Sequence, residues 1–112
     1  MVVFNCVDDE DYLSKSEFGL GKRVILFFYW DLCEVSLKIK PKFDELCRKY
    51  EKTAIIYTFQ HYGDDLLTSE AFEITKTPTI LVMDDGCEIQ RIVGEELENQ
   101  AVIEGFFEKY AI

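Results

Sequence analysis

The sequence contains few of the residue groups that hold metal ions or form closely spaced disulfides. Its four cysteines are far apart, at positions 6, 33, 47 and 87, and form no CxxC pair. The single histidine, His61, follows a predicted strand and has no cysteine near it in the chain. Zinc sites need closely grouped ligands, so we expect no metal site and place His61 at the surface.

Long apolar runs and basic residues are also scarce. The apolar run at residues 24–30 is much shorter than the roughly 20 residues that cross a bilayer. Lysine and arginine together number 12 against 22 acidic residues, which gives a net charge of -10. This charge is unfavourable for phosphate backbones and anionic lipids, so we expect neither a nucleic acid nor a membrane as partner. We expect a monomer that its acidity keeps soluble.

The N-terminus lacks the basic and apolar regions of a secretory signal, because Met1–Asn5 runs directly into acidic residues. Widely spaced cysteines without a paired motif are typical of reducing compartments. We therefore expect a cytoplasmic protein.

The 112 residues suffice for one domain with a single packed core, and their apolar patterns alternate between strand and helix types. Predicted strands cover residues 2–7, 24–30, 54–59, 79–83 and 88–93. Predicted helices cover residues 8–20, a long segment after Cys33 that ends at Tyr50, 64–72 and 95–110. This order predicts an α/β fold whose helices cover a mixed sheet that ends in an antiparallel hairpin.

The long helix has the clearest pattern. Its apolar face is formed at helical spacing by five residues, Ile39, Phe43, Leu46, Cys47 and Tyr50. Pro41 lies inside this pattern, where its ring removes a hydrogen bond to the carbonyl of Leu37. We expect one kinked helix and not two separate elements.

Cys33 lies between the buried strand and this helix, where thiol chemistry is most easily arranged. Free backbone N–H groups and the helix dipole favour a thiolate there, and the Ser36 hydroxyl is placed to donate a hydrogen bond to the sulfur. Asp31 and Glu34 oppose ionisation, but exposed charges are well screened. We expect a thiol pKa modestly below that of free cysteine.

The chain resembles the thioredoxin family over essentially its whole length. The segment Cys33–Ser36 lies where the family has its CxxC motif, and Pro41 matches the family's helix-kinking proline. Thr77–Pro78 stands at the family's cis-proline, and Gly94 at the glycine after the fifth strand. The resemblance implies a thioredoxin fold with three α/β/α layers, about five strands in a mixed sheet and four helices. It also implies one thioredoxin-like domain over residues 1–112, with Pro78 in the cis form.

The chain departs from the family pattern at the residues that carry redox chemistry. Ser36 replaces the second cysteine of the motif, and Leu32 stands where the family has a tryptophan, with Trp30 two residues earlier. Phe27 aligns with a buried aspartate that transfers protons in the family. The resemblance therefore implies at most a single-thiol CxxS site.

We interpret Cys33 and Ser36 as catalytic residues that form mixed disulfides with proteins or glutathione. The predicted substrate- or partner-binding residues are Trp30, Leu32, Thr77, Pro78 and Gly94. The other cysteines are too distant to release the adduct, so glutathione is expected as a co-substrate, and no other cofactor is expected. The alternative is a redox-inactive thioredoxin-fold module that binds a protein through the groove around Trp30, Cys33, Pro78 and Gly94.

A third possibility, an iron–sulfur or glutathione site like that of monothiol glutaredoxins, is disfavoured. Glu95 and Glu96 follow Gly94 and place acids where the carboxylates of glutathione would need cationic or backbone donors.

Overall fold

A computed structural model describes residues 2–6, 10, 12, 14, 21–30, 32–60 and 70–111. It contains five strands: β1 (Val2–Cys6), β2 (Arg23–Tyr29), β3 (Ile55–Gln60), β4 (Thr79–Asp84) and β5 (Cys87–Val93). The helices are α1 (Glu34–Tyr50) and α2 (Gln100–Tyr110), with a 3₁₀ helix (Gly94–Glu98) between β5 and α2.

The five strands form one mixed sheet in the order β1-β3-β2-β4-β5. β1 and β2 run parallel to β3, whereas β4 is antiparallel to β2 and β5 is antiparallel to β4. The register pairs Phe28 with Thr79 and Thr79 with Val93. The end of β2, the start of β4 and the end of β5 therefore meet at one edge of the sheet. The predicted mixed sheet of about five strands is confirmed.

Apolar side chains cover both faces of the sheet. Successive residues of a strand point to opposite faces, and β2 is apolar at successive positions, so it contributes to both. Ile25 and Phe27 join a core cluster with α1 and α2 on one face. Leu26 and Phe28 join a second cluster on the other face. All four are at most 1% exposed, so β2 is buried on both faces, as its continuous apolar run predicts.

The helix α1 is a single element that continues through Pro41, and its apolar stripe packs on the sheet. Ile39, Phe43, Leu46 and Cys47 are buried, whereas Pro41 is exposed. The ring of Phe43 stacks on that of Phe27, with 3.9 Å between their centroids. The apolar periodicity of the sequence therefore identifies the buried face of α1 correctly.

The predicted final helix over residues 95–110 is wrong in its first turn. Residues 94–98 form a 3₁₀ helix, and the chain becomes extended at Asn99, with φ -78° and ψ 109°. The Asn99 side chain accepts a hydrogen bond of 3.0 Å from the Ala101 N–H and so caps α2. Asparagine is a favoured N-cap, so a new helix begins here although the apolar pattern continues.

Two of the four predicted helices fall within the described residues as whole elements. The described residues contain two α-helices, where the sequence predicts four. The predicted helices at residues 8–20 and 64–72 lie largely outside the described residues. Tyr12 and Phe72 are described, and both pack against the second core cluster, on the face opposite α1 and α2.

Candidate functional site

Cys33 is the N-cap residue of α1, directly after the turn that follows β2. Its backbone is extended, with φ -99° and ψ 122°, and its carbonyl accepts the Leu37 N–H at 3.0 Å. Its own N–H donates to the Trp30 carbonyl at 3.0 Å, which closes the turn. The residue is partly exposed. The sulfur therefore lies at the positive end of α1 and within reach of solvent.

The start of β4 faces this sulfur. The Thr77–Pro78 peptide bond is cis, and Pro78 is buried. The Cys33 thiol donates a hydrogen bond of 3.4 Å to the Thr77 carbonyl oxygen. Thr77 and Pro78 therefore border the nucleophile directly, as the pairing of β2 with β4 requires.

Gly94 completes the third side of the site. Its N–H donates to the Pro78 carbonyl at 2.7 Å, and its φ is +64°. A Cβ at this position would be 3.8 Å from the nearest atom, a side-chain carbon of Lys76, which is an ordinary contact. Glycine is therefore needed for the left-handed backbone, and not for space.

Ser36 is almost fully buried, at 1% exposure, and its hydroxyl oxygen accepts a hydrogen bond of 3.3 Å from the Trp30 N–H. This bond joins the first turn of α1 to the end of β2. The hydroxyl is also a hydrogen-bond partner of Cys33. Ser36 therefore connects the turn and the thiol.

Hydrogen bonds hold the pKa of the Cys33 thiol below its ordinary value. Partial burial raises this pKa, but the backbone and hydroxyl of Ser36, the side chain of Thr77 and the backbone of Val35 lower it by more. The contact between the thiol and the Thr77 carbonyl favours the protonated form of Cys33. The hydrogen bonds from Ser36, Thr77 and Val35 favour the thiolate and together have the larger effect on the pKa. The net direction is the one predicted from the sequence. Asp31, the predicted opposing charge, lies outside the described residues.

Large apolar side chains are exposed at the rim of the site. Trp30 is partly buried, whereas Leu32 is 75% exposed. Leu37, which sequence analysis missed, is 56% exposed on the first turn of α1. Leu37 does not belong to the apolar stripe that contains Ile39 and Phe43, and this feature of the sequence could have indicated its exposure.

The remaining cysteines lie elsewhere, and none of the four described cysteines forms a disulfide. Cys6 and Cys47 are buried in the clusters on opposite faces of the sheet, and Cys87 is exposed at the start of β5. Burial raises the pKa of Cys47 to about 12, so this thiol is protonated at neutral pH.

Within the described part of the chain, no group of three or more histidine, cysteine or acidic residues is placed to hold a metal ion. In the same residues no helix combines the length and apolarity needed to cross a membrane. His61 lies outside the described residues.

Comparison with known proteins agrees with the fold. The sequence model of the family described as Thioredoxin matches residues 7–108. This chain belongs to the thioredoxin family. The thioredoxin of Staphylococcus aureus is 30% identical over 98 residues, which cover 87% of this chain and 90% of that protein.

Solved thioredoxin structures are similar over almost the whole chain. Reduced Schistosoma mansoni thioredoxin pre-protein has a TM-score of 0.78 and 26% identity, over 98% of this chain and 99% of that one. A thioredoxin f2 structure, solved in complex with ferredoxin:thioredoxin reductase, has a TM-score of 0.77 and 21% identity, over 96% of this chain and 94% of that one. The second likeness concerns the fold alone.

Phe27 occupies the position that resembles the buried aspartate of other thioredoxins. It is fully buried and stacks between the rings of Phe43, at 3.9 Å, and Tyr29, at 5.3 Å. Phe27 is therefore surrounded by aromatic rings in the core cluster that α1 covers.

Proposed function

We propose that this thioredoxin-family protein uses Cys33 as a single nucleophilic thiol that forms mixed disulfides with protein disulfides or with oxidised glutathione. One observation carries the proposal: the only thiol at the start of α1 is partly exposed, and its hydrogen bonds lower its pKa. The thiolate is the attacking form, so a lowered pKa increases the reactive fraction at neutral pH.

The first step is an exchange between two sulfur atoms. The Cys33 thiolate attacks one sulfur of a disulfide, so that a new S–S bond forms while the old one breaks. The departing sulfur leaves with the electron pair of the broken bond and takes a proton from water. Cys33 is thereby oxidised to a mixed disulfide, and the departing sulfur is reduced to a thiol.

A second thiol must come from outside the protein. Ser36 has no sulfur, and Cys47 is fourteen residues along α1, which is roughly 21 Å at 1.5 Å per residue. An external thiolate such as glutathione attacks the adduct sulfur, takes it as a new disulfide and returns Cys33 to the thiolate form. A cytoplasmic location, expected from the sequence, would supply that thiol.

The loss of the buried acid supports a single-thiol cycle. The resemblance assigns the family aspartate a role in proton transfer, and here Phe27 replaces it. A protein without a second motif thiol has no second sulfur at the site that would need to be deprotonated. The two replacements, Phe27 and Ser36, are therefore consistent with each other.

Intact-protein mass spectrometry after treatment with oxidised glutathione tests the proposal. The wild type and the Cys87→Ser control should gain a glutathione adduct that maps to Cys33, and Cys33→Ser should lack it. If no adduct forms at Cys33, or if it forms no faster than an adduct at the exposed Cys87, the proposal is wrong. The alternative, a redox-inactive partner-binding module, would then be favoured. A Ser36→Cys variant then shows whether a restored second thiol releases the adduct without glutathione.

A further inference from the structure

Two leucine side chains lie exposed on either side of the nucleophile. Leu32 precedes Cys33 and is 75% exposed, and Leu37, on the first turn of α1, is 56% exposed. Among the large apolar side chains of the described residues, only Ile89 is also classed as exposed, at 45% on β5. Apolar side chains left in water next to a reactive group indicate a surface that contacts a partner.

The 3₁₀ helix begins at Gly94, which borders the site through its bond to Pro78, and it carries exposed carboxylates. With three residues per turn, its inward positions are Gly94 and Leu97, which are buried, so Glu95 and Glu96 point outward and are exposed. The 3₁₀ helix lies against the start of α1, because its Glu98 forms an ion pair of 3.5 Å with Lys38.

Negative charge exceeds positive charge on this surface. Glu34 is exposed in the first turn of α1, next to Cys33. Glu34, Glu95 and Glu96 form no ion pair with a cation of the described residues, whereas Lys38 is neutralised by Glu98. Lys76, whose side-chain stem lies beside Gly94, is an exposed cation at the rim.

We propose that this surface selects polypeptide disulfides that are flanked by an apolar side chain and by lysine or arginine. The site surface, defined as Leu32, Leu37, Glu34, Glu95 and Glu96, offers apolar contact close to the sulfur and carboxylates around it. Oxidised glutathione carries more carboxylates than ammonium groups, so it should still form the Cys33 adduct, but more slowly than a polypeptide disulfide of this kind. The inference rests on the proposed function of Cys33 and names the substrate class of that thiol.

Charge at the rim of the site acts mainly on the rate at which the protein and a disulfide substrate meet. Carboxylates around a nucleophile raise the local concentration of cationic groups and lower that of anionic groups, and salt weakens both effects. The Debye length is about 10 Å at 0.1 M salt, so raising the salt should weaken the contribution of these exposed carboxylates.

Two symmetric peptide disulfides provide the test. Both contain a leucine next to the cystine, and they differ only in the flanking residues, which are lysines in one peptide and glutamates in the other. The rate constant for the Cys33 adduct is measured by quenched mass spectrometry. The wild type should prefer the lysine peptide, and this preference should shrink when salt is raised from about 20 mM to about 500 mM. Glu95→Gln/Glu96→Gln should lower the preference about threefold or more, because it removes two of the three unpaired carboxylates.

Matched controls separate the charge from other effects. Glu51→Gln/Glu108→Gln removes two exposed carboxylates near the ends of α1 and α2 and should leave the preference unchanged. Leu37→Ser should slow both peptides and leave their ratio unchanged, because it removes apolar contact only.

The charge inference is overturned if the preference for the lysine peptide is the same in the wild type and the Glu95→Gln/Glu96→Gln variant and does not change with salt. The proposed thiol function would still stand in that case. Absence of adduct with either peptide overturns the proposed function itself.

Discussion

Replacing Phe27 by aspartate would return an acid to the position where the thioredoxin family usually has one, and we expect it to destabilise this protein severely. Phe27 is fully buried and stacks on Phe43 with 3.9 Å between ring centroids. Removing a buried phenylalanine ring costs about 3–5 kcal/mol. A buried carboxyl without a partner adds about 1–3 kcal/mol. The sum, about 4–8 kcal/mol, approaches the whole stability of a typical domain, which is about 5–15 kcal/mol.

The penalty of Phe27→Asp should depend on pH. Burial raises the pKa of the introduced carboxyl in the folded state, so the folded protein holds its proton at pH values where the unfolded chain has lost it. Stability is therefore least reduced below about pH 3.9, the pKa of the unfolded group, and falls as the pH rises above it.

Urea unfolding followed by the fluorescence of Trp30, the single tryptophan, measures these changes at pH 4 and pH 7. Phe27→Leu is the control and should cost only about 1–2 kcal/mol, because it keeps an apolar side chain in the core. A Phe27→Asp penalty below about 2 kcal/mol at pH 7, or one that does not change with pH, would contradict the reasoning and indicate that the site accommodates a charge.

Three further predictions concern individual contacts. Ser36→Ala removes a hydrogen bond that lowers the pKa of Cys33, so the midpoint of iodoacetamide alkylation of Cys33 should move to higher pH; an unchanged midpoint would exclude the role of the hydroxyl. Asn99→Ala removes the cap on Ala101 and should cost about 1 kcal/mol in thermal or urea unfolding, whereas Asn99→Asp should cost much less. Burial holds the pKa of Cys47 at about 12, so unfolding stability should fall above about pH 8.5, by up to about 1.4 kcal/mol per pH unit, as the unfolded thiol ionises. Cys47→Ala should show a shallower decline, and an equal slope would refute this assignment.

The elements of the fold could be predicted from local pattern, whereas the assembly of the site could not. The apolar run of β2 and the helical spacing of α1 are properties of short segments. The contact between Cys33 and Thr77 depends on pairing between β2 and β4, which are about fifty residues apart, and local spacing gives no information on that pairing. The resemblance to the thioredoxin family supplied it, because the family order places Pro78 and Gly94 beside the motif.

Two details, the start of α2 and the exposure of Leu37, were not predicted because the apolar pattern of the sequence did not determine them. The apolar face of α2 suggests a helix from residue 95, but Gly94 adopts a left-handed backbone and Asn99 caps a new helix. The exposure of Leu37 was obscured by its position next to Ser36, within a segment otherwise interpreted as catalytic. It becomes evident only when the buried stripe of α1 is known to begin at Ser36 and Ile39.

The separation of the four thiols has a consequence for how this protein responds to its surroundings. Cys6 and Cys47 are buried on opposite faces of the sheet, Cys87 is exposed on β5 and Cys33 precedes α1. A dithiol thioredoxin exists as two covalently different folded molecules, whose balance follows the ambient redox potential. This chain has no internal bond to make or break, so the unfolding midpoint of the unmodified protein should be identical in oxidising and reducing buffer. Its fold should therefore be independent of redox state, whereas the sulfur of Cys33 should respond to it.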